Sequence, residues 1–259
     1  MALKTPADLA QTDPPLPPRD TLPTMYDLPS EDPEEPGLAD VFHYLQPPLL
    51  QETFCPPDYP PEQFFAAGDL NLYYDVHHPL WHKRPDWFAV LGVPLLYEQR
   101  DLRLSYVVWQ EGVMPYIVVE LLSPSTEKED LGQTLRAAEQ PPNKWEVYEQ
   151  ILRIPYYVIY NRYTGELRIF MLTGNRYQLQ PLNDQRLWLP ELKLHLGLWT
   201  GVYRNLEHQW LRWYDGEGKL IPTADERAEQ EKQRAEREKQ RADKMAERLR
   251  ALGIDPDEL

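Results

Sequence analysis

The stretch Tyr116-Ile117-Val118-Val119-Glu120-Leu121-Leu122-Ser123-Pro124-Ser125-Thr126 decides how this chain is read. Its β-branched and aliphatic run predicts a strand, and alternation sets Tyr116, Val118, Glu120 and Leu122 on one face and Ile117, Val119 and Leu121 on the other. Glu120 interrupts residues that all favour burial. A buried carboxylate is costly unless it is paired or bound to a metal. Glu120 is therefore either a strand-end acid reaching water or an arginine, or part of a site.

Upstream, Arg84-Pro85-Asp86-Trp87-Phe88-Ala89-Val90 puts Asp86 at the mouth of a second apolar strand. Alone, Asp86 reads as a turn cap. Paired with Glu120 in a neighbouring strand it becomes half of an oxygen-ligand site suited to Mg²⁺, which takes one or two carboxylates plus waters and phosphate oxygens. Working outward, residues 70–76, 86–91, 104–110 and 116–122 read as successive strands. Residues 143–153 read as a helix with Trp145, Tyr148 and Leu152 on one face, stopped by Pro155. Strands follow at 156–160 and 167–172, then a hairpin at Gly174-Asn175 into 177–182, then short strands from 187 to 214. This order predicts an α+β domain with helices packed on one twisted sheet.

The ends differ from the middle. Residues 1–37 are rich in Pro and acid and predict a disordered arm. From 38 to 65, Pro47, Pro48, Pro56, Pro57, Pro60 and Pro61 leave room only for short helical pieces. Residues 225–252 predict a long helix, with Glu231-Lys232-Gln233-Arg234-Ala235-Glu236-Arg237 followed at heptad spacing by Glu238-Lys239-Gln240-Arg241-Ala242-Asp243-Lys244. Its seam is poor: Ala228, Ala235, Ala242 and Leu249 fill one position, but Glu231 and Glu238 precede Met245 and Leu252 in the other. A solvated single helix and a homodimer through this helix both remain open. The expected layout is an arm at 1–37, one domain at 38–222 and a charged helix at 223–259.

Composition limits the function. The formal charge is −15, from 27 Lys+Arg against 42 Asp+Glu, which argues against strong nonspecific attraction to nucleic acid. Part of that charge lies in the ends, since residues 1–40 carry two basic and nine acidic side chains. The single Cys55 makes no intrachain disulfide. The absence of a signal-peptide core or a long apolar window leads us to expect a soluble cytoplasmic protein without membrane contact. Ser123 and Ser125 have no evident activating histidine. His77, His78, His82 and Asp75 match no standard zinc spacing and read as a solvated loop. There is no Gly-rich phosphate loop. The aromatic residues between Trp188 and Tyr214 could stack bases but read as alternating core positions.

The order Pro85-Asp86, then Val118-Val119-Glu120-Leu121-Leu122-Ser123-Pro124-Ser125-Thr126, Asp130, Lys144-Trp145-Glu146-Val147-Tyr148 and Pro155-Tyr156-Tyr157-Val158-Ile159 resembles the Uma-type restriction endonucleases, a branch of the PD-(D/E)XK nuclease superfamily. The resemblance spans residues 69–214. It implies a restriction-endonuclease-like mixed β-sheet core flanked by helices, acting on DNA with Mg²⁺, for which Mn²⁺ could substitute. It further implies Asp86 and Glu120 as metal ligands, with the Leu121 carbonyl as a third, and Asp86, Glu120 and Lys144 as the catalytic set of a DNA endonuclease. One position departs from the superfamily motif: the lysine two residues after the glutamate is Leu122 here. Lys144 on the following helix is the candidate replacement, and Lys128 is its rival. The acidic balance and the missing strand lysine favour an alternative, a noncatalytic nuclease-like scaffold that assembles through its C-terminal helix.

Overall fold

Two helix-breaking prolines stand inside the first helix of the computed structural model, which describes residues 40–123, 127–133 and 140–251. The arm expected at 1–37 lies outside the described residues. Helix α1 (Val41–Thr53) runs unbroken through Pro47 and Pro48, where only short helical pieces were expected. Each interior proline costs about 3 kcal/mol. Tertiary burial offsets it: Phe42, Leu49 and Leu50 enter the core. Gln46 is fully buried and docks both ends of its amide on a strand, donating to the Leu211 carbonyl and accepting from the Leu211 N–H.

The central sheet has six strands, β1 (Phe64–Ala67), β4 (Trp87–Leu91), β8 (Ile117–Leu121), β9 (Tyr156–Asn161), β10 (Glu166–Thr173) and β11 (Arg176–Leu179), in the order β1-β4-β8-β9-β10-β11. All neighbours are antiparallel except β8 and β9, so the sheet is mixed. Both faces are buried, which explains the near-continuous apolar runs of its middle strands. One face, with Ile117, Val119, Val158 and Ile169, packs on α1 and on a second sheet. The other, with Val118, Phe88, Tyr157 and Ile159, packs on Val147, Tyr148 and Leu152. The β10–β11 hairpin turns at Gly174-Asn175 as read, with Gly174 at φ 62°.

The strands expected at 70–76 and 104–110 are shorter than read. In a small sheet, β2 (Leu72–Tyr73) pairs with β3 (His82–Lys83) and with β7 (Tyr106–Val107); the one-turn helix α2 (Val108–Glu111) follows β7 directly. Strands β5 (Leu96–Tyr97) and β6 (Asp101–Leu102) form a separate two-stranded hairpin. The region from 187 to 214 is not a set of short strands. It builds its own sheet from β12 (Arg186–Leu189) and the long strands β13 (Leu194–Tyr203) and β14 (Leu206–Tyr214), because Trp210, Leu211 and Trp213 supply a second apolar face for α1 to cover.

Among the described residues, the short helices α3 (Glu127–Asp130) and α4 (Lys144–Glu146) lie between β8 and β9. The long helix α5 (Ala224–Ala251) ends the described chain. Its first turn carries a reciprocal cap, with Glu226 N donating to Thr223 Oγ1 and Thr223 N donating to Glu226 Oε2. The fully buried Arg212 of β14 pairs with Glu226 Oε2 at 2.8 Å. Burial pushes the Glu226 carboxyl up, but Arg212 and the cap outweigh it and hold its pKa below the ordinary value. A depressed carboxyl contributes stability above its unfolded pKa and loses it as pH falls through the folded one. Glu226→Gln is thus expected to cost about 1–3 kcal/mol at neutral pH, in chemical denaturation, with the difference from wild type shrinking in acid. No helix among the described residues is long and apolar enough to cross a membrane.

Candidate active site

Strands β4 and β8 pair from Ala89↔Ile117 to Trp87↔Val119 and then part. One further step in that register brings Asp86 opposite Glu120. Where the ladder opens, side chains take over its backbone groups. Leu121 N–H donates to Asp86 Oδ2 at 2.6 Å, and the Leu121 carbonyl lies 3.0 Å from His43 Nε2. His43 comes from α1, and its Nδ1 lies 2.9 Å from Asp40 Oδ1. Both ring nitrogens face acceptors, and only the imidazolium donates to both. Burial lowers the His43 pKa, yet Asp40, Asp86 and the Leu121 carbonyl raise it overall. Asp40, the N-cap of α1, also meets Arg162 at 2.6 Å; burial pushes its carboxyl up, but the hydrogen bonds from His43 and the charges of His43 and Arg162 hold it below the ordinary carboxylate range.

Glu120 is fully buried with both oxygens engaged. Lys144 Nζ donates to Oε2 at 2.8 Å and the Tyr148 hydroxyl donates to Oε1 at 2.8 Å. The same ammonium stands 2.9 Å from Asp130 Oδ1. Lys144 and Tyr148 project together because they are four residues apart across α4 and the π-helical turn Val147–Ile151 that continues it. Asn143 caps this segment by accepting from Glu146 N at 2.8 Å. Asp130, at the end of α3, is also fully buried, and its Oδ2 has no hydrogen-bond partner among the described residues.

Three carboxylates thus face two cations, with the Lys144 ammonium in contact with Glu120 and Asp130 and both Lys144 and His43 acting on Asp86. Burial pushes the Glu120 pKa up, and Asp130 and Asp86 add to this beyond what Lys144 takes back, leaving it well above the ordinary value. Burial likewise raises Asp86 against the pull of Lys144 and His43. Lys144 moves the other way from a buried amine: burial lowers it, but Glu120, Asp130 and Asp86 together raise it well above its usual value. The cluster of Asp86, Glu120 and Asp130 holds more acid than Lys144 and His43 balance. A hard divalent ion matches that surplus, and the donors along the β4–β8 opening, Asp86, Glu120 and the Leu121 carbonyl, are all oxygens. The unpartnered Asp130 Oδ2 is consistent with this fit. Among the described residues no three His, Cys, Asp or Glu side chains are grouped to hold a metal by themselves, so such an ion would rely on the carbonyl, water and substrate oxygens as well.

The structure therefore brings together Asp86, Glu120, Leu121 and Lys144. Lys128, the rival lysine, is exposed on α3. Leu122, where the superfamily motif has lysine, is buried in the core against the Val147–Tyr148 side of the sheet. His78 pairs with Asp75 at 2.7 Å and stacks on Trp81 in an exposed turn, consistent with the loop reading. Ser125 lies outside the described residues, and Cys55 is a free exposed cysteine. Trp210 and Trp213 are core residues. His43, Tyr148 and a site role for Asp130 were not read from the sequence. The only local signal for His43 is its place three residues after an acidic helix cap, and Tyr148 reads as core from its periodicity.

A family model, Uma2: Putative restriction endonuclease, matches residues 49–207, which include Asp86, Glu120, Asp130 and Lys144. No curated protein matches the chain.

Proposed function

The chain belongs to the Uma2 family of restriction endonucleases, and on that premise we propose that it is a Mg²⁺-dependent DNA endonuclease that hydrolyses phosphodiester bonds with Asp86, Glu120 and Lys144. The observation that carries this reading is the Lys144 ammonium on Glu120 Oε2 at 2.8 Å, beside Asp86 at the opening between two neighbouring strands. Mg²⁺, or Mn²⁺ in its place, would be held by Asp86, Glu120 and the Leu121 carbonyl. When bound, the ion supplies Lewis-acid polarisation of a phosphoryl oxygen and lowers the pKa of a bound water.

The protein's own groups do the rest. Lys144 offsets negative charge that develops on the phosphoryl oxygens and orients the attacking water. Tyr148 fixes the rotamer of Glu120 through its hydroxyl. The His43 imidazolium holds the Leu121 peptide at the angle the site needs and adds positive charge to an acidic pocket.

Calorimetric titration of Mg²⁺ and Mn²⁺ into wild type and Asp86→Ala, with plasmid nicking assayed on the same samples, tests this. Wild type should bind and nick, and Asp86→Ala should do neither. Because the Asp86 and Glu120 pKa values are raised, protons compete with metal for these carboxylates, so affinity should strengthen as the pH rises. Absence of both binding and nicking in wild type would leave a nuclease-shaped scaffold.

A further inference from the structure

One sector of helix α5 is basic. Arg234, Arg237, Arg241, Lys244 and Arg248 follow one another at spacings of three and four, with Arg227 one heptad earlier. At about 100° per residue they occupy one sector roughly 100° wide. Glu229, Glu236, Asp243 and Glu247 gather on a different sector, while Glu231 and Glu238 border the stripe on one side. A helix laced only for its own stability sets acid beside base at these spacings; here the neighbours Arg237, Arg241, Lys244 and Arg248 are like-charged, an arrangement that opposes the helix by a few tenths of a kcal/mol per pair. All four are exposed. Among the described residues the stripe's one carboxylate contact within α5 is Arg234 with Glu238 at 2.9 Å.

The helix that carries the stripe is anchored at its first turn. Arg212, Thr223 and Glu226 lock the first turn of α5 to β14, and Ala224 N donates to Glu52 of α1 at 2.6 Å. From Arg227 to Arg248 the stripe is about 32 Å long at 1.5 Å per residue, close to one turn of a DNA duplex, about 34 Å. A second copy of α5 is a poor occupant. The alanine seam is flanked by Arg234 and Arg241 on one side and Lys232 and Lys239 on the other, so a homodimer opposes like charges on both flanks. A lipid surface fits poorly as well, since the sector beside the stripe carries Glu231, Glu238 and then Ala228, Ala235 and Ala242, with no aromatic anchor. Arginine predominates over lysine in the stripe, which suits bidentate contact with phosphate.

We propose that the basic stripe of α5 is a docking surface for the sugar–phosphate backbone of duplex DNA, separate from the Asp86–Glu120–Lys144 centre and outside the residues matched to the family. Its biological sense rests on the nuclease reading, which it extends by naming where a protein of net charge −15 holds a polyanion. The stripe contributes phosphate contacts and no base readout, so it strengthens binding to all sequences alike.

The test uses the full chain carrying Glu120→Gln, in EDTA, so that cleavage plays no part. Binding to a labelled duplex of mixed sequence is followed by fluorescence anisotropy across a salt series. One variant adds Arg237→Gln, Arg241→Gln and Lys244→Gln. Its control adds Lys232→Gln, Lys239→Gln and Arg250→Gln, the same charge change on a different sector, with circular dichroism confirming an intact helix in both. At about 0.9 per phosphate contact, the stripe variant should flatten the slope of log K against log salt by roughly 2 to 3 and weaken binding at least about tenfold at low salt, and the control should change the slope by less than about 1. Equal effects in the two variants, undetectable duplex binding by the parent chain at low salt, or tighter binding to phosphatidylserine vesicles than to duplex would each overturn the proposal. A chain that binds duplex through the stripe but never nicks plasmid with Mg²⁺ retains this surface and loses the nuclease assignment. Nicking by wild-type chain that the three stripe substitutions leave unchanged at physiological salt has the opposite meaning.

Discussion

Replacing Glu120 by Gln is expected to remove Mg²⁺-dependent plasmid nicking, a loss on the order of 10²- to 10³-fold or more, while the melting temperature at pH 8 stays level or rises. The two effects have one cause. Glu120 is fully buried beside Asp130 and Asp86, and its pKa stands well above that of a free glutamate. For an acid with a raised folded pKa, ionisation opposes folding, and the penalty grows as pH climbs from the unfolded value through the folded one. The amide carries no charge to penalise. It keeps an oxygen for Lys144 or the Tyr148 hydroxyl, and Lys144 retains Asp130 at 2.9 Å. Loss of nicking accompanied by a fall of several degrees in melting temperature would instead identify Glu120 as a structural residue.

Lys144→Met should be destructive on both counts. Its ammonium is the one cation in contact with both Glu120 and Asp130 among the described residues, so removing it leaves two fully buried carboxylates uncompensated, a cost of about 3–5 kcal/mol at neutral pH. Those carboxylates can then become neutral by taking up protons, so the deficit should shrink as the solution is acidified. Nicking should fall at least as far as in Glu120→Gln. Lys128→Met, by contrast, changes an exposed side chain on α3 and should leave stability and nicking within error of wild type. Denaturation curves at two pH values and nicking rates for both variants decide the matter; activity lost with Lys128 and kept without Lys144 would reverse the assignment.

How much of this was legible beforehand follows from the range of the interactions. Alternation along 116–122 placed Glu120 on the face it occupies, and the two-residue turn at Gly174-Asn175 was readable because turn geometry is local. The length of α1 was not readable, because two prolines argue against it locally and only packing on β14 offsets them. The second sheet was misjudged for a similar reason. Strands β13 and β14 become long by pairing with each other over nine residue pairs, and that register is not written in either strand alone.

The site divides along the same line. Sequence by itself determined which residue types could hold a hard cation, where apolar runs demanded burial, and that Glu120 and Asp86 stood in strands that could neighbour each other. The tertiary structure alone decided that Lys144 rather than Lys128 reaches Glu120, that Asp130 joins as a third carboxylate, and that His43 crosses from α1 to the Leu121 carbonyl. Spacing along a strand or helix sets which face a side chain uses over a few residues. Contacts between residues 24 or 78 positions apart depend on how separate elements pack, and the sum of many weak apolar contacts, which no single stretch of sequence contains, sets that packing.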